Sequence, residues 1–356
     1  MPFERNASAE EILSAIEALP LESACLMEVC GTHTVAIARS GLKRMLPKHI
    51  QLLSGPGCPV CVTPTSDMDE ILRLAERSDV TIATYGDMLR VPGSRHGDSL
   101  RRRGGSVKMV YSALDAVELA QKQPDREVVF LGVGFETTAP GTAIAVEEAR
   151  RRGVKNFSVV SLLKMVEPAL RALLADPDFA VQGFLCPGHV AAITGAEGFA
   201  FLPQEYGMPA VVSGFEPMDI LLSVYHLLKQ LAEGKPMLEN EYDRVVPQNG
   251  NQLALRAVER CFLPCDAVWR GMGMIPMSGL ALRKEYEDFD AVKRFSLRMG
   301  QPEGKSACRC GEIITGKMPP EACPLFGTVC VPENPVGPCM VSGEGACSAA
   351  YQYRTI

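Results

Sequence analysis

A strand, turn and helix pattern recurs along most of this 356-residue chain and limits what it can fold into. Each unit begins with a short apolar run, continues through a turn rich in glycine, proline and polar residues, and ends in an amphipathic helix. Short buried strands that alternate with helices of about 10 to 15 residues are typical of βαβ units and parallel sheets. The pattern therefore predicts an α/β protein. The apolar runs are IQLLS at 50–54, VTIAT at 80–84, EVVFLGV at 127–133, FSVVSLL at 157–163, VQGFL at 181–185 and PAVVSG at 209–214.

The predicted strands divide into an earlier and a later group. Gly-Phe-Glu follows an apolar run in GVGFETTAP at 132–140 and again in VSGFEPMDI at 212–220. This internal repeat favours two separate sheets. The tail has few apolar runs and many Pro, Gly and Cys residues. Since functional groups gather where parallel strands end, the turns of the two α/β domains are expected to face a shared cleft. We predict an N-terminal helix, two α/β domains and a smaller cysteine-rich iron-sulfur domain, at 1–21, 22–118, 125–236 and 240–356 respectively.

Charge and hydropathy patterns argue against several classes of protein. Lys and Arg number 36 and Asp and Glu number 42, so the formal net charge is −6 and nucleic-acid binding is not indicated. The N-terminus lacks the basic and apolar regions of a signal peptide, which predicts a cytoplasmic protein. The longest stretch without Asp, Glu, Lys or Arg, 179–196, is interrupted by Cys-Pro-Gly-His at 186–189, so no membrane span is predicted.

Thirteen cysteines in a chain predicted to stay in a reducing compartment indicate metal or redox chemistry rather than a disulfide framework. Their distribution indicates two chemical centres. Cys30, Cys58 and Cys61 lie near the N-terminus. Six more lie between residue 308 and the C-terminus: Cys308, Cys310, Cys323, Cys330, Cys339 and Cys347.

The first centre combines two short motifs. In MEVCGTHT, Cys30 and His33 form a Cys-x-x-His turn, and SGPGCPVC places Cys58 and Cys61 in a Cys-x-x-Cys turn after the next apolar run. In one interpretation, these three thiols and the imidazole close a structural zinc site. In the other, Cys58 and Cys61 cycle between dithiol and disulfide, and backbone N–H groups of the following turn or helix stabilise the thiolates.

The second centre is the cysteine-rich tail, where prolines and glycines prevent a regular helix. Soft thiolates on an irregular stretch of backbone suit an iron-sulfur cluster, because four sulfurs must converge on the irons. Zinc is the alternative. Cys339 is interpreted as a packed bystander. The expected ligands are three cysteines and one member of a close pair: Cys323, Cys330 and Cys347 with either Cys308 or Cys310.

Three polar residues are further candidates because each follows a predicted strand. Glu136 and Glu216 either satisfy free N–H groups at a helix start or face the cleft. His189, in CPGHV, lies beside a turn and is a candidate for the cleft as well. GVGFETT does not match a dinucleotide fingerprint, because Thr137 occupies the place of the third glycine.

The chain resembles one family, the hydrogenase maturation (hydrogenase formation) proteins HypD. Motifs similar to that family's occur in its order and over nearly the whole chain. They are MEVCGTHT, LLSGPGCPVCVT, TYGDMLRVPGS, GFETTAP, GFLCPGHV, SGFEP and CPLFGTVCVPENPVGPCMVSGEGACSAAYQY.

The resemblance implies a factor that helps to assemble the Fe(CN)2(CO) group of the [NiFe]-hydrogenase active site. It implies a monomer that forms a heterodimer with a small HypC-type chaperone, receives cyanide ligands from a HypE-type donor and serves the hydrogenase large-subunit precursor indirectly. Cys30, with His33 beside it, is implied to hold the nascent iron. Cys58 and Cys61 are implied to be a redox-active pair, and the tail thiols to hold a [4Fe-4S] cluster that supplies electrons toward that pair.

Functions of two other classes use the same residues. A stand-alone iron-sulfur disulfide reductase would need the cluster and the dithiol, and a structural zinc protein would use both centres only for folding and partner binding. At the level of sequence, catalytic turnover and a stoichiometric scaffold role both stay open.

Overall fold

The computed structural model describes residues 7–354 apart from 96, 302, 303 and 305, so the ends of the two predicted terminal segments lie outside the described residues. In this part of the chain the predicted α/β class is confirmed. The structure contains a five-stranded parallel sheet, a four-stranded parallel sheet and a two-stranded antiparallel hairpin. The strands are β1 (Ala24–Glu28), β2 (Ile50–Ser54), β3 (Val80–Thr84), β4 (Val107–Met109), β5 (Glu127–Gly134), β6 (Phe157–Leu163), β7 (Gly183–Pro187), β8 (Ala210–Ser213), β9 (Leu238–Asn240), β10 (Phe262–Trp269) and β11 (Gly273–Leu282).

The two parallel sheets do not follow the predicted boundaries. The first sheet has the strand order β2-β1-β7-β8-β9 and the second has β4-β3-β5-β6. The predicted domain at 22–118 is therefore divided between the sheets, and the predicted domain at 125–236 is divided in the same way. Apolar runs locate strands correctly, but they do not say which strands pair. The chain leaves the first sheet after β2, builds the second sheet and returns to the first at β7.

Helices cover these sheets and begin where local signals favour them. Helix α1 lies in the predicted N-terminal helix and starts at a capping box, in which Ser8 and Glu11 bond reciprocally, and it buries Ile12 and Ile16. The α-helices are α1 (Ala9–Glu17), α2 (Gly31–Ser40), α3 (Leu42–Met45), α4 (Thr65–Leu74), α5 (Ala113–Lys122), α6 (Ala139–Arg152), α7 (Val166–Leu174), α8 (Gly188–Thr194), α9 (Phe201–Tyr206), α10 (Pro217–Glu233), α11 (Gln252–Cys261), α12 (Ala291–Arg294), α13 (Cys310–Ile314), α14 (Pro338–Val341) and α15 (Ala346–Gln352). Short 3₁₀ helices occupy Gly86–Arg90, Leu100–Ser106, Ala196–Phe199, Lys284–Phe289 and Pro320–Ala322.

Each parallel sheet has a switch point, where successive connections leave in opposite directions. It lies between β1 and β7 in the first sheet and between β3 and β5 in the second. Open α/β sheets bind ligands beyond the carboxyl ends of the strands at such points. Cys30 follows β1 and His189 follows β7, whereas Glu136 follows β5. The topology thus brings predicted site residues to both switch points.

A C-terminal segment contacts the loops at both switch points. Ser342 Oγ donates a hydrogen bond of 2.9 Å to Asp87 Oδ2, in the turn after β3. Two residues later, Glu344 Oε1 accepts a hydrogen bond of 2.7 Å from Thr32 Oγ1, at the start of α2. One segment of the tail therefore connects the two sheets beside the predicted site.

The predicted third domain at 240–356 is also divided. The β10–β11 hairpin lies along β6, where Met165 N–H donates to the Ser278 carbonyl, and Phe262 and Leu280 pack into the core of the second sheet. The hairpin was not predicted because its first strand, FLPCDAVW, contains a proline and a charge instead of an apolar run.

Cysteines of both centres lie in the same part of the hydrophobic interior. Cys58 and Cys61 belong to one buried hydrophobic cluster that also contains Cys310, Cys339 and Cys347 of the tail. In the part of the chain that the structure describes, no helix is both long and apolar enough to cross a membrane.

Candidate metal and redox site

Cys30 lies at the N-terminus of α2, directly beyond the end of β1. Its backbone is extended, and its carbonyl accepts the N–H of Thr34 as the helix begins. Burial raises the pKa of the Cys30 thiol to about 12, although the helix N–H groups of His33 and Thr32 favour the thiolate. The thiol is therefore neutral unless a cation ionises it, which a coordinating metal does.

Gly57 brings the two N-terminal motifs into direct contact. The N–H of Gly31 donates a hydrogen bond of 3.0 Å to the Gly57 carbonyl. A Cβ atom on Gly57 would lie 2.3 Å from the Cys30 nitrogen and 2.5 Å from its Cα. Since both atoms belong to the backbone, only glycine permits this approach. The SGPGCPVC loop is thereby held against the Cys30 turn.

Cys58 and Cys61 form a disulfide whose Cα atoms are 5.2 Å apart. The N–H of Cys61 donates to Cys58 Sγ at 3.1 Å, so the turn itself solvates the first sulfur. Cys58 is 5% exposed and Cys61 is 1% exposed. In this state the two sulfurs are bonded to each other and do not complete a four-ligand zinc site with Cys30 and His33.

His33 has a defined tautomer and one free lone pair. Its Nε2 lies 2.8 Å from the Gly214 carbonyl, which only accepts, so Nε2 carries the proton. Nδ1 is buried and has no hydrogen-bond partner among the described residues. Burial lowers the pKa of His33 to about 4, which keeps the ring neutral. An imidazole that donates to a backbone carbonyl and leaves its other nitrogen free is typical of metal ligands.

His189 and His33 contact the same aromatic ring. Phe215, in the turn after β8, stacks on His33 with ring centroids 4.7 Å apart and on His189 with centroids 3.9 Å apart. His189 is exposed, whereas His33 is fully buried. The structure therefore brings together His33 and His189, the predicted residues that follow β1 and β7. Phe215, which follows β8, lies between their rings, and the sequence did not indicate this role.

Two acidic residues beside Cys30 were not predicted. Glu28 ends β1 and is fully buried; its carboxylate accepts the N–H of Cys30 at 3.0 Å and the hydroxyl of Thr34. Burial raises the pKa of Glu28 to about 7. Glu344 reaches Thr32 from the tail. The sequence offered two signals for these residues. Glu28 is a charged residue inside an apolar strand, and Glu344 lies between glycines in SGEGAC.

Glu136 and Glu216 do not join this group. Glu136 Oε1 accepts the N–H of Val166 at 2.8 Å, and burial raises the pKa of Glu136 to about 7. No hydrogen bond in the described part of the chain links it to Cys30 or His33. Glu216 is exposed and forms a reciprocal capping box with Asp219 at the start of α10, which accounts for its position.

The tail cysteines meet around one small cavity. Cys308 and Cys310 both line it, and so does Cys339. Cys339, interpreted from the sequence as a packed bystander, thus lines the same cavity as the expected ligands. Six thiols line the cavity: Cys308, Cys310, Cys323, Cys330, Cys339 and Cys347.

The spacing of these thiols can be compared with the spacing that two kinds of metal centre require. Tetrahedral zinc, with Zn–S bonds of about 2.3 Å, holds its sulfurs roughly 3.8 Å apart. Among the described residues, no three cysteine sulfurs lie within 4.8 Å of one another. Several thiolates spread around a cavity suit a cluster of several irons better than one zinc ion. The buried Arg270, whose Nε lies 3.3 Å from Cys310 Sγ, provides positive charge for such an anionic group.

One further group of metal-ligating residues lies away from both centres. His226 places Nδ1 2.7 Å from Glu239 and Nε2 3.4 Å from Glu241. Both ring nitrogens therefore have carboxylate partners, and ion pairing between α10 and the region of β9 explains the group without a metal.

Comparison with known proteins identifies the family. A family model described as "Hydrogenase formation hypA family", HypD, matches residues 7–354. The chain belongs to this family. The hydrogenase maturation factor HypD of Azotobacter vinelandii is 44% identical over 361 residues, which cover 99% of this chain and 95% of the relative.

Two other relatives carry the same name and similar coverage. Hydrogenase maturation factor HypD of Rhodobacter capsulatus is 45% identical over 334 residues, with 92% of this chain and 89% of the relative covered. HypD of Escherichia coli K12 is 45% identical over 332 residues, with the same shares covered. The family resemblance noted from the motifs is thereby confirmed.

Proposed function

We propose that this hydrogenase maturation factor is a scaffold and redox component on which the Fe(CN)2(CO) group of [NiFe]-hydrogenase is assembled. The observation that carries the proposal is the arrangement at the first switch point. A buried thiol at a helix N-terminus, a neutral imidazole with a free lone pair and a disulfide lie together there.

Cys30 and His33 are the proposed binding residues for the iron, which is the substrate of the assembly. Cys30 Sγ provides a soft anionic ligand once the metal ionises it, and His33 Nδ1 is available as a neutral donor. Glu28 and Gly57 hold the Cys30 backbone in place through its N–H and through close packing. Phe215 keeps the ring of His33 oriented and separates it from His189.

Cys58 and Cys61 are the proposed redox pair. Reduction of their disulfide takes up two electrons and two protons and breaks one S–S bond, and reoxidation returns them. The close approach at Gly57 places this pair on the loop that touches Cys30. Electrons released there are available beside the iron as its ligands are attached.

The tail thiols are the proposed ligands of a [4Fe-4S] cluster, with four of the six cysteines of the cavity binding iron. When bound, the cluster supplies electrons one at a time. The chain's own contribution is to provide the thiolates, to surround the site with apolar residues such as Ile313 and Met340, and to place Arg270 beside Cys310.

The proposed partners are those that the family resemblance implies. We propose that a small HypC-type chaperone forms a heterodimer with this chain, that a HypE-type protein donates cyanide, and that the large-subunit precursor receives the iron group indirectly. The proposed compartment is the cytoplasm, where the free thiols of both centres stay reduced.

A stand-alone disulfide reductase is the second candidate, because one buried cluster contains both the disulfide and the tail thiols. The burial of Cys58 and Cys61 argues against it, since a protein disulfide would have to reach a sulfur that is nearly inaccessible. Turnover of a thioredoxin-like substrate without maturation partners would favour this candidate.

The proposed function is tested by complementation of a host that lacks its own HypD gene. We expect the wild-type chain to restore hydrogenase activity and Cys30→Ala, Cys58→Ala and Cys61→Ala to abolish it. Cys265→Ala, on β10, is the matched control and should restore activity. Normal maturation with all three site variants would contradict the proposal.

A further inference from the structure

The turn between β10 and β11, residues 270–272, lies between the two cysteine centres. On one side, the N–H of Arg270 donates a hydrogen bond of 2.9 Å to the carbonyl of Val62, the residue after Cys61. On the other side, Nε of the same residue donates to Cys310 Sγ at 3.3 Å. One residue thus contacts the dithiol loop through its main chain and the tail thiols through its side chain.

Backbone packing fixes the position of this turn. A Cβ atom on Gly271 would lie 2.2 Å from the Gly311 Cα, and a Cβ atom on Gly311 would lie 2.7 Å from the Gly271 Cα. Gly271 also has a φ of +75°, which disfavours any side chain. The turn therefore rests directly on the start of α13, which holds the main chain of residue 270 beside Cys310.

The charge of Arg270 has a chemical consequence at this place. The residue is only 4% exposed, and a guanidinium remains protonated at any ordinary pH. A buried cation is stabilised by nearby anions, and the thiolates and sulfides of an iron-sulfur cluster are anionic. Adding an electron makes such a cluster more negative, so a fixed cation favours the reduced state.

We propose that Arg270 is a positioning residue for the redox centre: its guanidinium raises the reduction potential of the cluster held by the tail thiols, and its main chain fixes the end of the dithiol turn. This inference rests on the proposed cluster. It does not depend on hydrogenase maturation or on the iron bound at Cys30.

The test compares Arg270→Gln with Arg270→Lys in anaerobically reconstituted full-length protein. The midpoint potential of the cluster is measured by titration with dithionite, a one-electron donor, and followed by electron paramagnetic resonance. We expect Arg270→Gln to lower the equilibrium constant for one-electron reduction at least tenfold, a shift of about 59 mV. Arg270→Lys keeps the charge and should remain closer to the wild type than to Arg270→Gln.

A second readout separates the charge from a general structural effect. The midpoint of the Cys58–Cys61 couple, measured in thiol-disulfide buffers, should be unchanged in both variants, because residue 270 keeps its N–H. If Arg270→Gln failed to load the cluster while Arg270→Lys loaded it, the need for the charge would be supported.

Three results would overturn the inference. They are an unchanged cluster potential in Arg270→Gln, an equal shift in both variants, or failure of both variants to load. Wild-type protein that takes up no iron and sulfide would overturn the proposed cluster together with this inference, whereas a normal cluster with unchanged variants would overturn the inference alone.

Discussion

Gly57→Ala would force apart the two loops that build the proposed iron site. The new Cβ would lie 2.3 Å from the nitrogen of Cys30 and 2.5 Å from the carbonyl carbon of Val29, where ordinary contacts begin at 3.4 Å. The loops must therefore separate by about 1 Å, because no side-chain rotation relieves a clash with backbone. The hydrogen bond from Gly31 to residue 57 would be stretched or lost.

The expected cost combines these two effects. Overpacking a tight contact costs about 1–3 kcal/mol, and a lost hydrogen bond costs roughly 1 kcal/mol, so Gly57→Ala should destabilise the protein by about 2–4 kcal/mol. Urea unfolding of anaerobic protein measures the change, and complementation of a host without HypD measures maturation, which should fall sharply.

Gly141→Ala is the matched control for this substitution. Gly141 lies in α6, and a Cβ there would meet no atom within 4 Å. It should leave maturation normal and stabilise the helix by up to about 1 kcal/mol. Wild-type stability and maturation in Gly57→Ala would refute the close packing of the two motifs.

Three more predictions concern the titration of a carboxyl group and the roles of individual thiols. Burial raises the pKa of Glu136 from 4.5 to about 7, so folding stability should fall as the pH rises through this interval and level off above it. Glu136→Gln should remove this pH dependence. In urea unfolding, the free energy of unfolding of the variant should exceed that of the wild type by on the order of 2 kcal/mol at pH 8, but not at pH 4.5. An identical pH profile of stability in the variant would show that the Glu136 carboxyl does not cause the pH dependence. Cys339→Ala should lower the content of iron and labile sulfide after reconstitution, whereas Cys265→Ala should not. Equal iron and sulfide contents in the two variants would show that Cys339 only packs in the interior. Opening the Cys58–Cys61 disulfide should lower stability by about 2 kcal/mol for so short a loop, measured by unfolding with and without reductant, and the Cys58→Ala/Cys61→Ala protein should show no such dependence.

Local patterns in the sequence were sufficient for most of the secondary structure. β3, β5 and β6 occupy the predicted apolar runs, and α1 lies within the predicted N-terminal helix, because burial and capping act over a few neighbouring residues. The strand pairing across the boundary between 22–118 and 125–236 was not foreseen, because β1 and β7 contact each other from far apart along the chain.

The candidate site shows the same limit. Cys30, His33 and the Cys-x-x-Cys pair were found because their spacing is short and their chemistry is distinctive. Phe215 and Glu344 were missed as site residues, since a spacer ring and a carboxylate from the tail acquire their roles only through tertiary contacts. Arg270 gave no signal in the sequence for the same reason.

The central claim is that Cys30 holds the iron while its ligands are attached, and it is tested most directly on anaerobic protein co-expressed with its proposed partners. Metal analysis and infrared spectra would be recorded for the wild type, Cys30→Ala and Cys25→Ala, a control on β1, the strand that precedes Cys30. The account predicts about four cluster irons and four sulfides in all three proteins. Cyanide and CO stretching bands should appear in the wild type and in Cys25→Ala and be absent in Cys30→Ala. Bands that persist in Cys30→Ala, or zinc without sulfide and without bands in the wild type, would contradict the account.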